Sequence, residues 1–73
     1  MIKLGQTVAF NQFHYAYGGG NPEDDVVGTV IYVNEPHRYF TAEYEKGGHM
    51  WKLSFNFDDL IGVGHYGRVR IIN

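Results

Sequence analysis

Apolar and polar residues alternate with a period of two along much of this chain. In "RYFTAEYE", residues 38–45, the apolar side chains Phe40, Ala42 and Tyr44 alternate with Tyr39, Thr41, Glu43 and Glu45. "HMWKLSFNF", residues 49–57, alternates in the same way and places Trp51, Leu53 and Phe55 on one face. Successive side chains of a β-strand point to opposite faces, so both segments are predicted to be strands with one buried face.

Three further segments are predicted to be strands. Residues 2–10 place Leu4, Val8 and Phe10 on one face, with a bulge or bend at Gly5. "VVGTVIYVN", residues 26–34, sets Thr29, Ile31 and Val33 against Val30 and Tyr32. Because this strand is apolar on both faces, it is expected to be central or bent around the core. "GRVRII", residues 67–72, closes the chain as a short strand with Val69 and Ile71 inward.

Turn signals separate these strands, and helical signals are almost absent. "NEPH" predicts a β-turn because Pro36 has a fixed φ, and Gly47-Gly48 suits a short hairpin. "FDDLIG", residues 57–62, predicts one 3₁₀ turn with Asp58 as its cap and Leu60 folded under it. No apolar stripe with helical spacing has a useful length, so the prediction is an all-β fold.

The size of the chain predicts a single domain, 1–73, with a small core. Such a core rarely supplies more than about 3–5 kcal/mol, and without cysteine no disulfide can add to it. Aromatic residues, at 16%, are one compensation, and homo-oligomer formation is another. We expect no signal peptide and no membrane span, because no apolar run approaches about 18 residues. A cytoplasmic location is therefore the expectation.

Five short strands, a long loop or hairpin after the first and a 3₁₀ turn before the last predict a five-stranded SH3-like small barrel. "KLGQTVAF" resembles the K-x-G-x-x-V opening of KOW- and SH3-like strands. "VVGTVIYVNEPHRYFTAEYEKG" resembles their G-x-V and aromatic-rich hairpin. "WKLSFNFDDL" is similar to the S-F-x-F-x-D-L ending of small uncharacterised bacteriophage and prophage proteins. Together these likenesses cover residues 3–61. They imply the barrel fold and a phage-type origin, but no activity.

Catalytic and metal-binding patterns are missing from the sequence. The carboxylates of residues 23–25 and 58–59 lie in turn-like segments, and no nucleophile, phosphate-loop or zinc-protease motif is present. The four histidines, at positions 14, 37, 49 and 65, form no close ligand pair. We therefore expect a protein that is not an enzyme and carries neither a metal nor another cofactor.

Two aromatic segments stand outside the barrel pattern and are the candidates for binding. In residues 11–25 an alternation of Phe13, Tyr15 and Tyr17 runs into "GGGNP", which predicts a projecting hairpin. Connections longer than about 12–15 residues tend to be functional or disordered. "GVGHYG", residues 62–67, is a second glycine-flanked segment, and the two could share one end of the barrel. Arginines would take phosphate or carboxylate groups. The candidate ligand-binding residues are His14, Tyr15, Tyr17, Arg38, His65, Tyr66 and Arg70.

The sequence thus favours a small non-enzymatic binding protein, in the manner of a phage accessory or counter-defence factor. Its expected partner is a host protein or a small anionic, nucleotide-like ligand. One alternative is a KOW-type barrel that binds nucleic acid through outward Tyr39 with Arg38 and Lys52. A net charge of −2 disfavours it, since phosphate-binding domains usually have a basic excess. The other alternative is a structural protein that forms oligomers.

Overall fold

The structure, a computed structural model, describes residues 2–10, 26–61 and 67–73. These residues form five strands and one 3₁₀ turn, and they contain no α-helix. The strands are β1 (Thr7–Phe10), β2 (Val26–Asn34), β3 (Tyr39–Lys46), β4 (His49–Asn56) and β5 (Val69–Ile71), and the 3₁₀ turn is Phe57–Asp59. The predicted all-β class, the five strands and the 3₁₀ turn before the last strand are confirmed.

All five strands belong to one antiparallel sheet with the order β4-β3-β2-β1-β5. The two outer strands of this order, β4 and β5, do not pair with each other within the described residues, so the sheet is not closed. The predicted barrel is therefore not confirmed. A single parallel bridge between Leu60 and Val69 connects the segment after β4 to β5.

The first strand is shorter than the sequence predicts because the chain turns at Gly5. Gly5 has φ 84°, and the Gln6 N–H donates to the Lys3 carbonyl at 3.3 Å. The Lys3 N–H in turn donates to the Gln6 side-chain oxygen at 2.7 Å. The turn leaves Leu4 67% exposed, so the prediction that Leu4 points inward is wrong, and Ile2 is buried in the core instead.

A β-bulge in β2 changes which side chains share a face. The register with β3 shifts between Val30 and Tyr32, and Val30 and Val33 then lie opposite Ala42 and Phe40. Both partners are completely buried, so Val30 and Val33 face the same core. The predicted strict alternation, with these valines on opposite faces, is wrong because the extra residue Ile31 resets it.

β3 confirms its predicted pattern, whereas the outer strands confirm theirs only partly. Phe40, Ala42 and Tyr44 are all buried. On β4 only Phe55 is fully inside, Leu53 is partly buried and Trp51 is 52% exposed. On β5 Val69 is buried, but Ile71 is 41% exposed because this strand lies at the edge of the sheet.

Aromatic rings fill the centre of the core. The Phe10 ring lies 5.2 Å from the Tyr44 ring in an edge-to-face arrangement and 4.9 Å from the Phe55 ring. Phe40 contacts both Phe55 and Phe57. Because large rings bury much apolar surface per residue, they suit a core that few residues must fill. The buried apolar cluster consists of Ile2, Val8, Phe10, Val30, Phe40, Ala42, Tyr44, Phe55, Phe57, Leu60 and Val69.

Candidate binding surface

Most of the predicted binding residues lie outside the described part of the chain. This holds for His14, Tyr15 and Tyr17 in residues 11–25, and for His65 and Tyr66 in residues 62–66. The structure does describe the residues that flank both segments. It also describes the two predicted arginines, Arg38 and Arg70.

The residues that flank the two segments lie together. Phe10, the last residue before segment 11–25, pairs with Val26, the first residue after it, and also with Val69. The Ile61 N–H, just before segment 62–66, donates to the Val69 carbonyl at 2.9 Å. All these anchoring residues are therefore close neighbours: Phe10 lies opposite both Val26 and Val69, and Val69 is hydrogen-bonded to Ile61. We call Phe10, Val26, Ile61 and Val69 the shared root.

A buried carboxylate holds the 3₁₀ turn to Arg68, the residue before Val69 of the shared root. Asp59 is only 5% exposed, and its Oδ2 accepts a hydrogen bond from the Asn56 N–H at 3.0 Å. Its Oδ1 has no well-aligned hydrogen bond, but it lies 3.1 Å from the Arg68 Nη2, so that contact is ionic. The Arg68 N–H also donates to the Asp59 carbonyl at 2.7 Å. The predicted cap, Asp58, is wrong: the capping carboxylate is that of Asp59.

Arg38 connects the β2–β3 turn to the same 3₁₀ turn. Its N–H donates to the Glu35 carbonyl at 3.1 Å, and its carbonyl accepts from the Phe57 N–H at 2.9 Å. Its guanidinium carbon lies 5.5 Å from the centre of the Phe57 ring, and its Nη2 lies 3.7 Å from Asp58 Oδ1. Arg38 therefore presents a cation beside the 3₁₀ turn that leads to the shared root.

The backbone of Arg38 is in the left-handed region, with φ 58°, and among the described residues other than glycine it alone has a positive φ. This conformation costs a residue with a side chain about 1–2 kcal/mol. An exposed cation–π contact contributes about 0.5–1 kcal/mol to stability, and an exposed ion pair contributes about 0–1 kcal/mol. The contacts of the side chain thus roughly offset the strain. They give a physical reason for an arginine where glycine would fit more easily.

Arg70 does not join Arg38. It lies exposed on β5 opposite Ala9, and β2 and β1 separate its strand from β3. The guanidinium of Arg68, two residues before Arg70, is directed to Asp59. The two predicted arginines therefore belong to different parts of the surface.

The sequence prediction missed an aromatic pair on the outward face of the sheet. Tyr32 and Tyr39 have ring centroids 5.8 Å apart with an interplanar angle of 47°. The alternation of side chains does not reveal this pair, because the bulge at Ile31 brings Tyr32 opposite Thr41 and onto the face of Tyr39. Lys52, which the nucleic-acid alternative groups with Tyr39 and Arg38, lies directly opposite Glu43.

In residues 2–10, 26–61 and 67–73 no three histidine or carboxylate side chains gather into a group that could hold a metal ion. Nor does the described part of the chain contain a helix that is long and apolar enough to cross a membrane. No family model matches the chain, and no curated protein or solved structure is significantly similar to it.

Proposed function

We propose that this chain is a small non-enzymatic binding protein whose contact surface surrounds the shared root. The observation that carries the proposal is the pairing of Phe10 with both Val26 and Val69. It gives segments 11–25 and 62–66 a common origin, and these segments contain the aromatic and histidine residues that the barrel pattern does not require. Arg38 adds a cation next to the 3₁₀ turn.

The finer fold that we propose is an SH3-like barrel. Three features support it: the antiparallel order β4-β3-β2-β1-β5, the bulge in β2 and the bridge between Leu60 and Val69. Bulges bend strands and help a sheet to curl. In a barrel of this class, long connections and the 3₁₀ turn form a surface on a rigid scaffold, which is where binding residues are commonly found.

The biological role that we propose is that of a phage-type accessory or counter-defence factor acting in the cytoplasm. It would cover the surface of a host protein or sequester a nucleotide-like anion. The likeness of "WKLSFNFDDL" to small phage proteins supports this role, and so does the presence of tyrosines, which give large contact area at a low entropy cost. Tyr15, Tyr17 and Tyr66 would provide the aromatic contacts, and Arg38 and Arg70, which lie on different parts of the surface, would each face a separate anionic group.

Native mass spectrometry of the protein purified from its own host tests this proposal. We expect a co-purifying polypeptide or nucleotide, and we expect it to be lost from a Tyr15→Ala/Tyr17→Ala variant that remains folded. The matched control is Met50→Ala/Trp51→Ala, which removes two exposed side chains from β4. A partner that both variants retain, or that both lose equally, contradicts the proposal.

Native mass spectrometry, a salt titration and light scattering together separate the alternatives. A co-purifying polynucleotide whose binding falls steeply with salt would assign a nucleic-acid-binding barrel. A concentration-dependent oligomer without any other ligand, seen by light scattering, would assign a structural protein.

A further inference from the structure

The outward face of β2, β3 and β4 carries a patch of six uncharged polar and aromatic side chains. Register places Asn34 beside Tyr39 and Tyr39 beside Asn56, and in the next row Tyr32 beside Thr41 and Thr41 beside Ser54. We call these two rows the tyrosine patch, which consists of Tyr32, Asn34, Tyr39, Thr41, Ser54 and Asn56. The patch belongs to the described strands and contains none of the residues in segments 11–25 and 62–66.

The aromatic part of the patch is accessible. Tyr32 is 46% exposed and Tyr39 is partly buried, and their rings are tilted by 47° against each other. Such an arrangement offers an apolar surface and a hydroxyl group at the same position. A ligand that packs on these rings must therefore combine an apolar face with polar groups at its rim.

Hydrogen bonds within the patch fix its polar groups. The Asn34 amide donates to the Tyr32 hydroxyl oxygen at 3.2 Å, so the Tyr32 O–H is left to donate outward. Thr41 and Ser54 share a hydrogen bond of 2.7 Å, in which one hydroxyl donates and the other keeps its own proton. The patch thus presents oriented hydroxyl donors and acceptors, which lose little entropy when a ligand binds.

Charge favours a neutral ligand. None of the six side chains of the patch is charged at neutral pH. In the row beyond it, Lys52 lies opposite Glu43, so the positive charge there is balanced. At the other end Arg38 has Asp58 as its partner, and the whole chain carries −2. A polyanion would find no excess of positive charge to attract it, whereas a neutral polyol does not need such an attraction.

We propose that the tyrosine patch is a binding site for a neutral oligosaccharide. The C–H face of a sugar ring would pack on Tyr32 and Tyr39, and the sugar hydroxyls would exchange hydrogen bonds with Thr41, Ser54 and the Tyr32 hydroxyl. Hydroxyl groups donate and accept, so they match both roles of the ligand groups. Aromatic walls with a few placed polar groups are typical of small-ligand sites. This site is separate from the shared root and does not depend on the function proposed above.

An NMR titration of the ¹⁵N-labelled protein tests the proposal. The probes are maltohexaose, mannohexaose, xylohexaose and chitohexaose, each added to about 10 mM so that affinities weaker than millimolar are detected. We expect at least one glycan to shift the amides of Tyr32, Tyr39 and Thr41 in a saturable way. Amides of β1 and β5 should not move.

Variants distinguish stacking from unspecific contact. Tyr32→Ala should weaken the glycan at least about tenfold, and Tyr32→Phe, which keeps the ring, should weaken it less. Met50→Ala, on the outward face of β4 but outside the patch, is the control and should not change the affinity. The Tyr15→Ala/Tyr17→Ala variant should also bind the glycan normally, so a failure of the proposed function leaves this result unaffected.

The proposal is overturned if none of the four glycans shifts these amides, or if Tyr32→Ala binds as tightly as the unchanged protein. A proline-rich peptide or an oligothymidylate that shifts them where the glycans do not would also overturn it. Either result would assign the patch to that class of ligand.

Discussion

At the scale of single residues, neighbouring positions with the same chemistry have different roles. Asp58 and Asp59 are adjacent aspartates on one turn, and only Asp59 has the spacing from Asn56 that a capping box needs. In the fold Asp58 is exposed, whereas Asp59 is buried and contacts both the Asn56 N–H and Arg68. Asp59 caps the turn because it lies three residues after Asn56, the residue before the turn, and accepts from its N–H. The ion pair with Arg68 depends in addition on tertiary pairing, which no local pattern contains.

Asp59→Asn tests this difference. The amide keeps an oxygen that can accept from the Asn56 N–H, but it removes the charge that faces Arg68. We expect a loss of about 1–3 kcal/mol in the free energy of unfolding, because the partly buried Arg68 loses its ionic contact with Asp59. Asp58→Asn, the control, should change it by less than about 1 kcal/mol. Urea denaturation measures both, and equal effects of the two substitutions would contradict the assignment.

Arg38 provides a second residue-scale prediction because its backbone and its side chain can be separated. Arg38→Gly removes the strain of the positive φ and also the contacts with Phe57 and Asp58. Arg38→Ala removes the same contacts but keeps the strain. We therefore expect the glycine variant to be about 1 kcal/mol more stable than the alanine variant. Thermal or urea unfolding decides this. An alanine variant as stable as the glycine variant would show that the left-handed backbone carries no cost.

At the scale of the elements, the sequence predicts the strands well and the irregular features poorly. The bounds of β2 and the inward face of β3 follow directly from the alternation of side chains. The bend at Gly5 is predicted by the glycine itself and is confirmed, but its effect on Leu4 does not follow from the alternation, and neither does the bulge at Ile31, because both features are stabilised by contacts with another strand. Gly5, for example, donates to the Val30 carbonyl at 2.9 Å. For this reason the alternation alone places Leu4 and Val33 on the wrong faces.

Gly28 marks a place where two strands need close packing. A Cβ atom built at this position would lie 2.9 Å from the Glu43 carbonyl oxygen and 3.3 Å from the Phe10 ring. Gly28→Ala should therefore lower the free energy of unfolding by about 1–3 kcal/mol, since backbone or core must shift. Thr29→Ala, at the exposed neighbouring position, is the control and should have a smaller effect. If Gly28→Ala unfolds at the same urea concentration as the unchanged protein, the close packing is not present.

At the scale of the whole molecule, the candidate surface could be predicted only in outline. The sequence identifies segments 11–25 and 62–67 as additions to the fold, and the pairing of Phe10 with Val26 and Val69 then gives them a common origin. The tyrosine patch could not be predicted, because it requires the bulge and the register of three strands together. Residues far apart in the sequence form both surfaces, so alternation along the chain does not reveal them.

The open sheet has a consequence for hydrogen exchange. Gly47 and Gly48 both have positive φ, as in a two-residue hairpin turn, so Lys46 and His49 form a hydrogen-bonded pair. From there the amides of Trp51 and Leu53 point to β3, and those of Lys52 and Ser54 point to the open side of β4.

We expect strong protection at Leu53 and weak protection at Lys52 and Ser54, measured by NMR-detected exchange. Because alternate residues of one strand are compared, differences in local stability cancel. Protection of Lys52 equal to that of Leu53 would mean that another segment or a second copy of the chain covers this edge. Loss of that protection on dilution would then identify the second copy.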